Sequence, residues 1–189
     1  DLQLDVLEIV SADPSLKGWH GLGLALQAYQ KRAFRAVDWL VDLSRRHDRR
    51  FMIRLVKGAY WDTEIKLAQE QGLDGYPVFT RKASTDVSYI ACAKKLLSNR
   101  DAVYPQFATH NAHTLATVMA IAGDGGGYEF QRLHGMGEQL YDQIVGTDDI
   151  GVPCRIYAPV GSHEDLLAYL VRRLLENGAN TSFVNRIVE

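Results

Sequence analysis

The 189-residue chain is short of several things. It has two cysteines, Cys92 and Cys154, too few for a disulfide framework, so a reducing cytoplasm is the simpler home. Its net charge is -2 and it has no long basic run, which argues against contact with nucleic acid. No apolar stretch approaches the roughly 20 residues that a membrane span needs. There is no internal repeat and no low-complexity linker. No Gly-x-Gly-x-x-Gly follows a strand, which weakens a dinucleotide-binding open sheet. The chain opens at Asp1 without a methionine, which leaves room for a fragment of a longer protein and strips the missing signal peptide of weight.

What is present is an ordinary soluble composition, 47% hydrophobic and 23% charged, in a chain long enough for one domain with a substantial core. Residues 1–189 are expected to form that single domain. Helical and extended patterns alternate. A helix is expected to end near Val10, broken by Ser11-Ala12-Asp13-Pro14. Strands are expected over 21–28, 51–57, 103–109, 128–133 and 154–159, and Pro77 to Arg81 has room for a short sixth. Helices are expected over 31–46, with Phe34, Val37, Leu40, Val41 and Leu43 on one stripe, and over 62–71, capped by Asp62 and stopped by Gly72. Others are expected over 85–97, 112–122, 138–145 and 162–177, the last ended by Gly178, with a short final helix over 181–187. Alternating β and α elements with short loops imply a parallel sheet with right-handed crossovers. Five or six strands in this length read as the C-terminal part of a (β/α)8 barrel.

Strand alternation then sorts the polar residues. In 51–57, Ile53, Leu55 and Lys57 share one face, and Met52, Arg54 and Val56 the other. A buried arginine requires an anionic or hydrogen-bonding partner, and either an internal ion pair or a ligand answers that. In 21–28 the small residues Gly21, Gly23 and Ala25 share the inward face with Gln27. His110 follows the strand of Gln106 and Ala108. Gln131 and Leu133 share a face late in their strand, and Tyr157 shares one with Arg155. All lie towards C-terminal strand ends, where barrel enzymes build their sites. In the helix 165–177, Tyr169, Arg172, Arg173 and Glu176 form one stripe, suited to binding a carboxylate by fork-to-fork hydrogen bonds. Leu167, Leu170, Val171 and Leu174 form another stripe, expected to dock on the protein so that the polar stripe faces the barrel mouth as a lid. His110 and His113 have a metal-like spacing, but no carboxylate or cysteine sits nearby in sequence, so no metal is expected. Lys57 at a strand end is a candidate Schiff-base lysine, except that alternation turns it towards the helices.

Four words of sequence now matter: Arg54-Leu55-Val56-Lys57-Gly58-Ala59-Tyr60-Trp61, Tyr104-Pro105-Gln106-Phe107-Ala108-Thr109-His110-Asn111, Tyr128-Glu129-Phe130-Gln131, and Tyr169 to Asn177 with its continuation through Phe183. They resemble the proline dehydrogenase domain of the bacterial bifunctional flavoenzyme proline utilization A. The resemblance covers nearly the whole chain, and it implies a distorted (β/α)8 TIM-like barrel with non-covalent FAD on its C-terminal face. The activity it implies is oxidation of L-proline to Δ1-pyrroline-5-carboxylate by hydride transfer from C5 to flavin N5. Flavin contacts are implied for Gln27, Arg54, Val56, Lys57, Gly58, Ala59, Trp61, Thr80, Lys82, Thr109, His110, Gln131, Leu133, Ser182 and Phe183. A proline pocket is implied for Tyr60, Leu133, Tyr157, Tyr169, Arg172 and Arg173, with Glu176 beside it; Arg54, Tyr157, Tyr169, Arg172, Arg173 and Glu176 would carry the catalysis. The implied partners are a quinone-type electron acceptor at the membrane surface and a fused or paired aldehyde dehydrogenase domain, with the protein cytoplasmic or peripheral at the inner membrane. The family's pocket lysine and supporting aspartate lie on strands that would precede Asp1, so no position here carries them. A barrel without its first strands would expose strand edges and is not expected to be stable alone. The segment Gly123 to Gly127 is short for the family. The rival readings are a Schiff-base lyase using Lys57 and a non-catalytic barrel remnant.

Overall fold

In the computed structural model, five strands line up in the order in which the chain makes them, all parallel: β1 (Gly23–Gln27), β2 (Phe51–Val56), β3 (Val103–Ala108), β4 (Glu129–Leu133) and β5 (Cys154–Tyr157). Among the described residues, seven α-helices accompany them: α1 (Leu2–Ser11), α2 (Ala33–Arg46), α3 (Trp61–Glu70), α4 (Lys82–Leu97), α5 (Ala112–Ala122), α6 (Glu138–Tyr141) and α7 (His163–Ala179). The structure describes residues 2–145 and 151–179, with side chains other than those of 165 and 175–179.

The alternation in β2 decides the layers. Phe51, Ile53 and Leu55 are fully buried and face α2 and α4, whereas Met52, Arg54 and Val56 are only partly covered. The core therefore sits between the sheet and its helices, where Val37, Leu40 and Leu43 of α2 and Tyr89, Cys92 and Leu96 of α4 meet Ile53, Leu55, Val103, Phe107 and Phe130. Leu40 is fully buried there, and truncating such a leucine to alanine costs about 2–5 kcal/mol. Phe107, Tyr128, Phe130 and Tyr141 extend this core as a chain of tilted and edge-on rings at 5.7–6.2 Å.

Parallel register carries the other face across the sheet. Ala25 lies beside Arg54, Arg54 beside Gln106, and Gln106 beside Glu129. One layer further along, Ala108 pairs with Gln131 and Gln131 with Arg155, and a layer beyond that Leu133 pairs with Tyr157. Two glycines are required by close approach. A Cβ on Gly23 would lie 2.0 Å from the Met52 carbonyl oxygen. Gly58, just past β2, has φ +130, and a Cβ there would strike the Tyr29 ring at 2.6 Å.

Several boundaries differ from expectation. Pro77 to Arg81 is not a strand. It makes a single antiparallel bridge, Val78 with Gln30, plus hydrogen bonds to Tyr29 and Lys31; Pro77 has no N–H to continue a ladder. Helix α4 starts at Lys82 rather than Thr85, where Lys82 pairs with Asp86 one turn on. Helix α3 starts at Trp61, with Tyr60 rather than Asp62 at the cap position. Helix α6 ends at Tyr141, and a turn carries residues 142–145. Helix α7 runs through Gly178 to Ala179 rather than ending at Asn177. Phe34 is off the buried stripe of α2 and 44% exposed, covered by Lys95 Nζ at 3.3 Å from its ring centre. The expected helix over 181–187 lies outside the described residues. Among the described residues, no helix is long and apolar enough to cross a membrane.

Candidate functional site

The side of the sheet away from the helices has a floor of small side chains on β1, Gly23 and Ala25, both exposed. Beside that floor, Arg54 projects from the fourth position of β2. Its Nε donates to Gln131 Oε1 at 2.8 Å, and its guanidinium lies 4.7 Å from the centre of the Tyr157 ring. Both partners are neutral, and among the described residues no carboxylate forms an ion pair with it. Arg54, Gln131 and Tyr157 come from β2, β4 and β5, so the sheet curls enough to bring distant strands together, as a barrel wall does.

Below this triad lies a residue that sequence reading did not single out. Glu129, at the first position of β4, is 3% exposed. Its Oε1 accepts from Gln106 Nε2 at 2.8 Å, Gln131 Nε2 at 2.8 Å and Arg155 Nε at 2.9 Å, and its Oε2 accepts from an Arg155 terminal nitrogen at 3.0 Å. Burial alone pushes its carboxyl pKa up, but the hydrogen bonds and charge of Arg155, with the two glutamine amides, outweigh that and hold it below the ordinary glutamate range. The signal was available: Glu129 alternates onto the face of Gln131 and Leu133, and buried carboxylates do not stay unpaired.

Lys57 turns to the helix side, as alternation implies. Its Nζ is 2.7 Å from Asp86 Oδ1, and its side chain is 13% exposed. Lys82 Nζ shares the same carboxylate at 2.8 Å. Burial lowers the Lys57 pKa, the nearby Lys82 adds to this, and Asp86 opposes it. Asp86 itself is raised by burial, but the two lysines win and its carboxyl lies below the usual aspartate range. Two cations around one anion leave net positive charge at the start of α4, a helix with no side-chain cap; free N–H groups and the helix dipole favour an anion there. Thr80 is exposed just before it. Trp61 is fixed by its Nε1 donating to the Phe79 carbonyl at 2.9 Å.

At the far end of β3, Thr109 is buried. Its Oγ1 accepts from the Asn111 N–H, and its carbonyl accepts from the Tyr141 hydroxyl. His110 Nε2 accepts from the Leu133 N–H at 3.0 Å, tying β3 to β4 and placing any ring proton on Nδ1. Gln27 and Val56 end their strands half-covered, and Ala59 follows Gly58 in the loop after β2. Helix α7 sends Arg172 to within 5.2 Å of the Tyr60 ring centre, at the C-terminal side of β2. Arg173 lies 5.1 Å from the ring of Tyr169, one turn back. The polar stripe of α7 thus includes a contact with the sheet's C-terminal end. The apolar stripe does not dock as expected: Leu167, Leu170, Val171 and Leu174 are 38–61% exposed, because among the described residues no element covers that side. The Glu176 side chain, Ser182 and Phe183 lie outside the described residues.

With this geometry in place, comparison with known proteins is informative. A family model described as proline dehydrogenase matches residues 1–186. The chain is 64% identical over 195 aligned residues to "Bifunctional protein PutA" of Klebsiella aerogenes, covering 100% of this chain and 15% of that protein. It is 59% identical over 190 residues to the protein of that description from Rhizobium meliloti, covering 99% of this chain and again 15% of the relative. A crystallised mutant of Bradyrhizobium japonicum proline utilization A superposes with a TM-score of 0.88 at 67% identity, covering 97% of this chain and 19% of that one. The sheet, its helices and its curl are those of that protein's TIM-like barrel. The chain spans about 15% of the length of the bifunctional relatives it matches.

Proposed function

The chain belongs to the proline dehydrogenase family, and from that premise we propose that it is part of an FAD-dependent barrel that oxidises L-proline to Δ1-pyrroline-5-carboxylate. The observation that supports this best is convergence at one end of the sheet: Arg54 held on Gln131 and Tyr157, and Arg172 of α7 brought to Tyr60. Residues 1–189 are read as the C-terminal part of that barrel, including the helix that lies over its mouth.

The donor set fits the cofactor. Flavin dependence is general in the family. A floor of small residues suits a flat ring system, an arginine held by neutral partners lies beside it, and the net positive start of α4 suits phosphate. Gln27, Arg54, Val56, Gly58, Ala59, Thr109, His110, Gln131 and Leu133 are the residues proposed to surround the ring end. Thr80 and Lys82, with Lys57 sharing Asp86, are proposed for the phosphates, and Trp61, Ser182 and Phe183 complete the set. Bound there, FAD supplies the two-electron acceptor.

The protein's own work is then binding and orientation. Proline loses a hydride from C5 and a proton from its ring nitrogen, and the C5–N bond becomes double. Arg172 and Arg173 hold the substrate carboxylate, since guanidinium forks match carboxylate geometry. Tyr60, Leu133, Tyr157 and Tyr169 wall the ring, with Glu176 adjacent. Arg54 contributes a fixed positive charge, already oriented before substrate arrives. Misplacing the reacting carbon by about an ångström can cost on the order of a hundredfold in rate, which is why a lid helix carrying both arginines matters.

The Schiff-base reading is not favoured, because Lys57 is on Asp86 and on the helix side of β2. The relatives' bifunctional description and greater length support a further fused domain in the whole protein; we propose that it is an aldehyde dehydrogenase, with a quinone as electron acceptor at the membrane surface and a cytoplasmic or peripheral location. The test is a purified preparation of the whole protein: bound FAD that bleaches with L-proline supports the reading, whereas borohydride trapping of a substrate on Lys57 would overturn it.

A further inference from the structure

Glu129 touches none of the groups proposed to meet substrate, yet it is a nearly inaccessible carboxylate on the working side of the sheet. We propose that Glu129 is a positioning residue: it fixes the amide orientation of Gln131 and, through that amide, the guanidinium of Arg54. The inference rests on the proposed role of Arg54 beside the cofactor.

The argument is donor–acceptor arithmetic. An ionised carboxylate only accepts, so every polar group facing Glu129 must donate. Gln131 turns its NH2 to Glu129 Oε1 at 2.8 Å, which leaves its carbonyl oxygen pointing the other way. That oxygen is the acceptor for Arg54 Nε, also at 2.8 Å. A guanidinium only donates, so a flipped Gln131 would set two donors against each other. Glu129 excludes the flip because a flipped amide would also face it with an acceptor. Both ends of the relay therefore demand the same orientation. Gln106 and the two-pronged Arg155 hold Glu129 itself from β3 and β5. A buried charge costs several kcal/mol unless well paired, so a plain stitch between strands would be served as well by neutral groups. What a neutral group cannot supply is a one-way acceptor that forces the polarity of the next residue.

A merely structural Glu129 would act independently of Arg54; a relay couples them. The test is a double-mutant cycle of Glu129→Gln and Arg54→Met in the whole protein, read twice. In the first reading, FAD dissociation constants are measured by flavin fluorescence. Glu129→Gln is expected to weaken FAD binding about tenfold when Arg54 is present, one decade of affinity or about 1.4 kcal/mol. On the Arg54→Met background the loss should shrink to about twofold or less, the scatter expected of independent sites. Equal losses on both backgrounds overturn the relay. The second reading is the same cycle on thermal unfolding of flavin-free protein, where the relay predicts non-additive shifts and additive shifts refute it. This separates the two claims: a wild-type protein that binds no FAD sinks the functional reading, while the flavin-free cycle still decides the relay. If Glu129→Gln does not fold, Gln131→Leu replaces it, since it cuts the link while leaving Glu129 on Arg155 and Gln106. Its cycle with Arg54→Met must then be non-additive, or the relay is refuted.

Discussion

Replacing Arg172 by methionine should raise the Michaelis constant for proline by about ten- to a hundredfold while leaving the fold intact. The size follows from where the side chain is. Arg172 is exposed, with its guanidinium 5.2 Å from the Tyr60 ring centre. A cation–π contact at an exposed site is worth about 0.5–1 kcal/mol, so its loss to stability is small. A charge-assisted hydrogen bond to a substrate carboxylate contributes roughly 1.5–3 kcal/mol. At about 1.4 kcal/mol per decade, that is one to two decades of affinity. Arg173→Met should fall in the same range. Its guanidinium lies on the Tyr169 ring at 5.1 Å, so an added loss of order in α7 is expected. Arg172→Lys should recover only part of the loss, because lysine keeps the charge without the planar fork. Tyr169→Phe should cost less than either, since it keeps the ring. The assay is steady-state proline oxidation with an artificial electron acceptor, with FAD content measured on the same preparations. If both methionine variants keep wild-type Michaelis constants and full FAD, the polar face of α7 looks at water and the substrate carboxylate is bound elsewhere.

Other consequences are sharp enough to check. Arg54→Met should lower FAD affinity and slow flavin reduction, with Arg54→Lys rescuing in part; unchanged affinity and reduction rate would remove Arg54 from the site. Gly58→Ala should destabilise the protein, because φ +130 and a Cβ at 2.6 Å from the Tyr29 ring strain the backbone by about 1–3 kcal/mol. In the whole protein, an unfolding transition of this barrel indistinguishable from wild type would contradict the clash. Because the Glu129 pKa is lower folded than unfolded, the unfolded chain binds more protons in the window between the two values. Its contribution is therefore complete above the ordinary glutamate value of 4.5 and is lost as pH falls through the folded value. Urea midpoints of the wild-type protein should drop below that pH more steeply than those of Glu129→Gln; parallel curves would show that Glu129 carries no such linkage.

What the sequence made legible follows one rule, strand alternation. Arg54 opposite Ile53 and Leu55, Lys57 on the helix side, and the small inner face of β1 were all readable because period two holds wherever one face is buried. The partners of Arg54 were not readable, since they depend on which strands the curl brings together, and Gln131 and Tyr157 lie far along the chain. Glu129 is visible in the Tyr128-Glu129-Phe130-Gln131 word, inside the expected strand 128–133, but alternation does not show that Gln106 and Arg155 of the neighbouring strands close around it. Asp86 was hidden by starting α4 three residues late, which separated it from Lys82. Helical spacing identifies the apolar stripe of α7 without saying what covers it, so its exposure is not legible in the sequence.

The central claim is tested most directly by the visible spectrum of the purified whole protein before and after L-proline is added without oxygen. The account predicts the absorption of bound flavin, bleached on addition of L-proline and restored by an electron acceptor. A protein that carries flavin whose spectrum L-proline leaves unchanged would contradict it.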